Sequence, residues 1–463
     1  MNRNRMHRRG FLKTLGVGAA IGATSQQEIQ AKSKAAEKKI SPNDKVRIAS
    51  IGMGIIAFEN MGVLARMPEA EFVAAADCYT GRLQRTKEVF GKEIATTQNY
   101  KELLERKDID AVVINTPDHW HGQIAVDAMK AGKAVYIEKP VIQKIEDGHR
   151  IIKVEKETGQ PTIVGSKQFR QPLYQKAREL IAKGEIGQLT AVEAVVSRNS
   201  GIGAWQYSIP TDASEKTIDW KMFLGSAPDR PFDADRFFRW RKYWDYGTGV
   251  SGDMFVHRLS ALHYILDSKG PTQISAMGGV RYWNDNREAP DILMALLDYP
   301  ATTSHPSFTL ILKANFADAS GGGPGYRFIG SEGVMEIGWR SLTVKRNPRG
   351  KSTEQQIVEG YNSVRTFSKE QQDEFVKEYR KYKSQSKMGT ETRNTYEMEH
   401  KGPEDYDSGT DHFGRFLAAV KGNNDIIQDA TYGLRAAAPS IIPNYCMREG
   451  KVYNWDPYAM KIL

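Results

Sequence analysis

The sequence has little cysteine and no long hydrophobic run. Its 463 residues include only two cysteines, Cys78 and Cys446, which excludes a disulfide framework. No Cys-x-x-Cys pair or Cys/His cluster indicates zinc. No apolar stretch reaches the roughly 18–20 residues of a membrane-spanning helix, which argues against stable membrane insertion. The remaining composition, 40% hydrophobic and 26% charged, is that of a globular protein, and its length predicts two or three domains.

The positive charge is concentrated at the N-terminus. The chain has a formal net charge of +9, but its first 45 residues hold ten basic and only three acidic side chains. The chain from Val46 onward is therefore nearly neutral. A nucleic-acid-binding protein would carry its basic residues on the folded body, so we expect no nucleic-acid partner.

The basic N-terminus has the form of an export signal. Residues 8–13 read RRGFLK, and a weakly apolar stretch rich in Gly and Ala follows over 14–23. This order resembles a twin-arginine signal, which directs folded proteins out of the cytoplasm. A basic tail before a small helix is the alternative. We predict an export signal over 1–31, a polar tether over 32–45, the twin-arginine export machinery as a partner, and a periplasmic location.

A dinucleotide-binding pattern begins at Val46. The β-branched run 46–51 predicts a buried strand, and the GxGxxA motif of 52–57 follows it directly. Gly52 permits the tight turn, and Gly54 allows a pyrophosphate to approach the backbone. A second predicted strand, 71–76, ends at Asp77, where a carboxylate accepts hydrogen bonds from the ribose hydroxyls and disfavours a 2′-phosphate. The pattern favours NAD; Arg82 keeps NADP open as the less favoured cofactor.

Alternation of strands and helices continues to residue 168. Strands are predicted at 109–114, 134–137 and 161–165, with helices at 122–130 and 145–158. This order is typical of a doubly wound parallel sheet, a Rossmann domain over 46–168. Ligands bind beyond the carboxyl ends of such strands. The glycine loop and the segments 115–121 and 138–140 fall there, so we predict that they form one site.

Two of these loops carry a family resemblance. Thr116-Pro117 with His121 after the fourth strand, and Glu138-Lys139-Pro140 after the fifth, resemble the Gfo/Idh/MocA (glucose–fructose oxidoreductase/inositol dehydrogenase) family. The resemblance spans roughly 46–457. It implies that Lys139 faces nicotinamide and substrate, and that Asp253 and His257 complete the catalytic set. The chain departs from the family pattern at Phe255, where glycine is common.

The predicted site has two groups of residues. Catalysis is assigned to Lys139, Asp253 and His257. The residues predicted to bind the cofactor are Gly52, Met53, Gly54, Ile55, Asp77, Asn115, Thr116, Pro117, His121, Glu138, Lys139, Trp240 and Arg241. Trp240 and Arg241 enter through the resemblance alone. His119 and His121 could suggest a metal, but we expect no metal site.

The three catalytic residue types fit the oxidation of an alcohol. Asp253 and His257 are four residues apart and share a face if the segment is helical. His257 can take the hydroxyl proton, and Asp253 can hold the imidazole tautomer or bind a neighbouring sugar hydroxyl. Lys139 can stabilise the developing alkoxide. A helix-surface pair without function is the alternative for Asp253 and His257.

Residues 169–463 predict an α+β domain with a large, mostly antiparallel sheet, which the resemblance assigns to substrate binding and oligomer contacts. The resemblance implies a homodimer or homotetramer. Tryptophans and tyrosines concentrated over 205–246 suit either sugar stacking or core packing. Apart from a helix opened by Ser368, the polar stretch 351–410 is predicted to be a surface insertion.

Three functions remain open from the sequence. The first is an NAD-dependent oxidoreductase acting on a sugar or glycoside secondary alcohol, with C3 as a candidate position and with a tightly held cofactor. The second is an NAD-dependent glycosidase or lyase that works by transient oxidation, elimination and return of the hydride. The third is a sugar- or NAD-binding protein without catalysis.

Overall fold

A computed structural model describes residues 44–167, 169–347, 354–385, 395–423 and 426–463. The predicted signal and most of the tether, residues 1–43, lie outside the described residues. Across the described ranges, none of the helices combines the length and apolarity that crossing a membrane requires.

The first sheet has six parallel strands in the order β3-β2-β1-β4-β5-β6. They are β1 Val46–Ile51, β2 Ala70–Ala76, β3 Ala95–Thr97, β4 Ala111–Ile114, β5 Ala134–Ile137 and β6 Thr162–Val164. The helices of this half are α1 Ile55–Leu64, α2 Thr80–Phe90, α3 Tyr100–Glu105, α4 Asp118–Lys130 and α5 Ile145–Thr158. β1, β4 and β5 are almost fully buried, which is why their sequences are continuous apolar runs. The predicted doubly wound parallel sheet is confirmed.

The second sheet has ten strands in the order β14-β13-β12-β11-β7-β10-β9-β8-β15-β16. They are β7 Leu189–Ser197, β8 Gln273–Gly279, β9 Ile292–Tyr299, β10 Phe308–Asn315, β11 Tyr326–Gly330, β12 Gly333–Ile337, β13 Ser341–Arg346, β14 Tyr396–Lys401, β15 Tyr453–Asp456 and β16 Lys461–Ile462. β7 and β10 run parallel, and the other described pairs are antiparallel. The predicted large, mostly antiparallel sheet is confirmed.

The remaining helices surround the second sheet and its loops. They are α6 Pro172–Ala182, α7 Trp220–Leu224, α8 Ala234–Phe238, α9 Val256–Leu266, α10 Glu354–Val358, α11 Lys369–Gln385, α12 Ser408–Val420 and α13 Ala430–Glu449. A 3₁₀ turn covers Trp240–Lys242, and a single π turn covers Ser251–Phe255 immediately before α9.

The prediction for 351–410 was wrong in one respect. Tyr396–Lys401 is not surface insertion but strand β14, which pairs along its whole length with β13 and forms one end of the second sheet. Its residues alternate between half-buried and exposed, and none is fully buried. An edge strand of this kind carries little of the apolar alternation from which strands are predicted.

Helix α13 joins the two halves of the molecule. It packs against β8, α5, α9 and the π turn, and most of its residues are buried. The Ser251 hydroxyl in the π turn donates a hydrogen bond to the Ser440 carbonyl of α13. One continuous apolar core therefore includes residues of both sheets and fixes the π turn relative to the first sheet.

One face of the second sheet carries exposed apolar side chains on its central strands. Residues of β9 alternate between buried and exposed along the strand. The exposed positions include large apolar side chains, with Met294 at 49% and Leu296 at 51% exposure. Met277 lies opposite Met294 on β8, and Ile311 lies opposite Leu296 on β10. These four side chains form one contiguous apolar patch.

Candidate active site

A cleft of about 840 Å³ lies at the carboxyl ends of β1, β2, β4 and β5. Its opposite wall comes from the segment 198–241 of the second half. Of the predicted site residues, those lining the cleft are Gly52, Gly54, Ile55, Asp77, Asn115, Thr116, Pro117, His121, Glu138, Lys139, Trp240 and Arg241. The strand order therefore brings together loops that are far apart in the sequence.

The glycine loop has room for a ligand at one position only. Gly52 has φ +88°, and a Cβ there would lie 2.9 Å from the Asn115 carbonyl carbon and oxygen. At Gly54, no atom lies within 4 Å of an added Cβ. Gly54 is followed by α1, whose first amides have no side-chain cap. Open space against uncapped helix amides is what a pyrophosphate requires.

Asp77 closes the glycine loop from β2. One carboxylate oxygen accepts from the Met53 amide at 2.7 Å, and the other accepts from the Tyr79 amide at 2.8 Å. Arg82 lies 3.5 Å from the first oxygen. Each oxygen retains acceptor capacity for ribose hydroxyls. Met53 does not line the cleft: its side chain is fully buried and its amide is already occupied by Asp77.

His121 ties two loops of the cleft together. Its Nδ1 lies 2.7 Å from the Pro140 carbonyl oxygen, and its Nε2 lies 2.9 Å from the Thr116 carbonyl oxygen. The ring therefore links the loop after β4 to the Glu-Lys-Pro loop after β5. Both nitrogens are occupied by backbone contacts, so His121 shapes the cleft and has no ring nitrogen left for a metal.

A buried amide network, which the sequence analysis did not predict, lies beneath these loops. Asn60 on α1 donates to Asn115 Oδ1 at 2.8 Å and to Glu138 Oε1 at 3.0 Å. Lys167 in turn donates to Asn60 Oδ1. Asn60 is completely buried, which is unusual for a polar side chain in a helix. No local pattern marks Asn60, because charged Glu59 directly precedes it and its partners are distant in the sequence.

Lys139 and Asp253 form an ion pair across the two halves of the molecule. Lys139 Nζ donates to Asp253 Oδ1 at 2.7 Å and to the Asp253 carbonyl oxygen at 3.1 Å. Arg241 Nε lies 3.5 Å from the same carboxylate oxygen. Burial alone would raise the pKa of Asp253, but Lys139 and Arg241 outweigh it and hold that pKa well below its usual range. Asp253 is therefore ionised at neutral pH.

His257 lies one turn beyond Asp253 and is half-buried. Burial, and then the positive charge of Lys139, lower the pKa of His257 well below its ordinary value of 6.5. Its imidazole is neutral at pH 7 as a result. In the described part of the chain it has no hydrogen bond to Asp253, whose carboxylate is held by Lys139. The expectation that Asp253 fixes the His257 tautomer is therefore wrong for this structure.

Asp118 is a second acidic residue at the cleft, and the sequence analysis did not single it out. It lies at the start of α4, is 3% exposed, and accepts from the Thr248 amide at 3.0 Å and the Thr248 hydroxyl at 2.8 Å. Burial raises its pKa, while the nearby His121 and Arg241 act in the opposite direction. This contact attaches the loop after β4 to the segment that leads into the π turn.

The aromatic residues of 205–246 divide between cleft and core. Tyr207 and Trp240 line the cleft, and the Arg241 guanidinium lies 4.2 Å from the centre of the Trp240 ring. Trp205 is fully buried and packs edge-on against Phe316. Of the tryptophans and tyrosines in this range, Tyr207 and Trp240 are thus available to a ligand. Among the described residues, no group of three His, Cys, Asp or Glu side chains is placed to hold a metal ion.

Two sequence-family models match this chain, one for each half. The model of the oxidoreductase family with an NAD-binding Rossmann fold (GFO_IDH_MocA) matches residues 46–166, and that of its C-terminal alpha/beta domain matches residues 173–280. The chain belongs to the Gfo/Idh/MocA oxidoreductase family. The resemblance inferred from the Thr-Pro-x-x-x-His and Glu-Lys-Pro loops is thereby confirmed.

Individual relatives of this Gfo/Idh/MocA protein match over about a third of the chain. A scyllo-inositol 2-dehydrogenase (NAD(+)) of Bacillus subtilis is 32% identical over 145 residues, 31% of this chain and 42% of the relative. An alpha-N-acetylgalactosaminidase of Shewanella oneidensis is 29% identical over 172 residues, 33% of this chain and 38% of the relative. The chain thus spans about two fifths of the length of these curated relatives.

The fold match extends further. The crystal structure of an aldose-aldose oxidoreductase from Caulobacter crescentus, complexed with glycerol, has a TM-score of 0.60 and 15% sequence identity. It covers 89% of this chain and 99% of that chain. At this identity the likeness concerns the fold of both halves.

The contrast between Gly52 and Gly54 predicts two different consequences of adding a side chain. Gly54→Val should leave the melting temperature unchanged, because its Cβ enters open space, and should weaken NAD binding at least about tenfold, or ~1.4 kcal/mol. Gly52→Val should lower the melting temperature, because its Cβ meets the Asn115 backbone. Differential scanning fluorimetry and calorimetric NAD titration measure both. Undiminished NAD affinity in Gly54→Val would contradict the assignment.

Proposed function

We propose that this protein is an exported NAD-dependent oxidoreductase that transfers hydride between a secondary alcohol of a sugar or glycoside and a tightly held cofactor. The observation that carries the proposal is the Lys139–Asp253 ion pair at 2.7 Å beside the dinucleotide cleft. An ion pair that only stabilised the fold could lie anywhere in the core. This pair lies beside an open cleft that has the features of a nucleotide site, which favours a catalytic role. Oxidation at C3 is one candidate reaction.

The substrate class follows from the wall opposite the glycine loop. Tyr207 and Trp240 offer rings to the apolar CH face of a sugar, and Arg198, Arg241 and Lys139 offer donors to its hydroxyls. The cleft is much larger than a small alcohol requires. These features support a carbohydrate, as do the names of two relatives, an inositol dehydrogenase and an N-acetylgalactosaminidase.

The proposed chemistry uses His257 and Lys139 in different roles. His257 is neutral and can accept the hydroxyl proton of the substrate. Lys139 is held by two hydrogen bonds to Asp253 and directs its one remaining N–H donor at the substrate oxygen as negative charge develops there. NAD, when bound, supplies the hydride acceptor. Asp253 has no proton to give and acts by fixing Lys139.

The cofactor preference is proposed from Asp77. The Asp77 carboxylate faces the cleft and would repel the negatively charged 2′-phosphate of NADP. This repulsion favours NAD over NADP. Arg82 lies beside this carboxylate at 3.5 Å and would be the group to accept a 2′-phosphate. Since Arg82 is already paired with Asp77, NAD is the preferred assignment.

The second candidate function is an NAD-dependent glycosidase or lyase. It is favoured by the alpha-N-acetylgalactosaminidase match over 172 residues. Transient oxidation would acidify the neighbouring C–H, elimination would break the glycosidic bond, and hydride would return to the product. The same His257 and Lys139 would serve the oxidation step, so the site geometry accommodates both reactions.

Product analysis distinguishes these functions. With purified holoenzyme and a panel of sugars and aryl glycosides, we expect mass spectrometry to detect a keto-sugar. Release of the phenol without net NADH would instead support the glycosidase. Lys139→Ala should lower turnover at least about 100-fold with NAD affinity retained, because the alkoxide loses its charged donor. Undiminished turnover in this variant would favour a binding protein without catalysis.

The neutral His257 predicts an unusual pH dependence. A base must be unprotonated to work, and the lowered pKa of His257 keeps it so below pH 6.5. We expect kcat/KM to stay level as pH falls through 6.5 and to decline only at lower pH. His257→Gln should remove that decline and lower kcat by about 10²–10⁴-fold. His149→Gln is the matched control, since that ring binds the Met460 carbonyl. A decline centred above pH 6.5 would contradict the assignment.

Export is proposed from residues 1–31 and requires that the cofactor travel with the protein, because free NAD is scarce outside the cytoplasm. We expect the active protein in the periplasmic fraction, carrying stoichiometric NAD(H). Replacing Arg8 and Arg9 by Lys should retain it in the cytoplasm. Fractionation with cofactor quantitation measures both. A periplasmic protein that is empty and turns over only with added NAD would disprove the retained-cofactor idea.

A homodimer or homotetramer is proposed through the apolar patch of Met277, Met294, Leu296 and Ile311. Burial of such a patch against a second copy removes apolar surface from water. Leu296→Asp should convert the oligomer to monomer, as measured by light scattering after gel filtration. Val89→Asp, an exposed apolar position on α2, is the matched control. A wild-type monomer would contradict the proposal.

A further inference from the structure

A second cavity of about 240 Å³ lies apart from the cleft and shares no lining residue with it. It is formed by the end of α13, the segment 244–248 and the residues before α5. No step of the proposed chemistry uses it. Its wall nevertheless includes the segment that leads from Trp244 toward the π turn.

One residue of the cavity wall carries a buried hydrogen-bond acceptor that has no partner among the described residues. Asn444 on α13 is 2% exposed and donates through Nδ2 to the Thr248 carbonyl oxygen at 2.7 Å. That bond fixes the amide orientation, because a flipped amide would place two oxygens against each other. Within the described ranges, Asn444 Oδ1 has no hydrogen-bond partner. A buried unpaired acceptor is costly, and a ligand that donates a hydrogen bond removes the cost.

Two cations line the same cavity without a carboxylate partner in the described chain. Arg448 lies 5.4 Å from the centre of the Trp244 ring, and Lys144, at the start of α5, also lines the cavity. The one acid of the wall, Asp245, is paired with Arg230 at 2.9 Å and with Arg236 at 3.1 Å. The cavity wall therefore carries a net positive charge, because Asp245 is paired with other arginines and does not neutralise Lys144 or Arg448.

We propose that this cavity binds a small hydroxycarboxylate. Its hydroxyl donates to Asn444 Oδ1, its carboxylate pairs with Arg448 and Lys144, and its carbon chain contacts Trp244 and Ile441. A neutral sugar would leave the two cations unpaired. Hydrogen phosphate carries both an O–H donor and negative charge, but it has no carbon chain to contact Trp244 and Ile441. A ligand that combines a hydroxyl, a carboxylate and a carbon chain satisfies all three parts of the wall.

D-gluconate is the probe, titrated calorimetrically into the purified full-length holoenzyme. We expect saturable binding that Arg448→Ala weakens at least tenfold, because a charge-assisted pair is lost. Lys451→Ala removes an exposed cation just beyond α13 and should leave the affinity unchanged. D-glucose, which has the hydroxyls but lacks the carboxylate, should bind at least tenfold more weakly than gluconate.

Several outcomes would overturn the proposal. They are the absence of saturable binding, equal affinity in Arg448→Ala, equal loss in Arg448→Ala and Lys451→Ala, or glucose binding as well as gluconate. Binding abolished by Lys139→Ala but retained in Arg448→Ala would place gluconate in the catalytic cleft. Asn444→Ala should also weaken binding. If that variant does not fold, a crystal structure with gluconate decides, and water alone on Asn444 Oδ1 overturns the assignment.

Discussion

The arrangement of the site depends on one buried ion pair between parts of the chain that are 114 residues apart. Lys139 follows the fifth strand of the parallel sheet, and Asp253 lies on a π turn packed beneath the second sheet. Burying two charges is expensive, and the cost is recovered only when geometry and additional donors are good. Here the Asp253 carboxylate accepts a hydrogen bond from Lys139 and lies 3.5 Å from Arg241. Its buried negative charge is therefore compensated by two nearby cations.

The surrounding contacts hold the two halves of the molecule in the relative position that the Lys139–Asp253 ion pair requires. Ser251 binds the Ser440 carbonyl of α13, Asn444 binds the Thr248 carbonyl, and Thr248 binds Asp118 at the start of α4. These contacts connect the π turn to the first sheet through buried polar groups, which are directional where apolar packing is not. The cleft is therefore preorganised, because the Lys139 ammonium is already aimed before substrate enters.

The parts of the molecule that the sequence predicted are those encoded locally. The strand β1, the glycine loop and the Glu-Lys-Pro loop are each specified by a few consecutive residues, so they could be recognised without a structure. Asn60 and Asp118 could not, since their partners lie 55 to 130 residues away and no local pattern marks them. Met53 was assigned to the cofactor on its position in the motif, but its side chain points into the core. The edge strand β14 lacks the apolar alternation that predicts a strand.

The π turn explains why Asp253 does not contact His257, although their four-residue spacing predicted a shared helix face. Two residues four apart share a face of an α-helix, but a π turn inserts an extra residue and rotates what precedes it. Phe255 belongs to this turn and is fully buried in the core, where the family often has glycine. The turn directs Asp253 toward Lys139 and leaves His257 without a carboxylate on its ring. Burial and the charge of Lys139 outweigh the opposing charge of Asp253, so His257 is held neutral, which is the state that a proton acceptor requires.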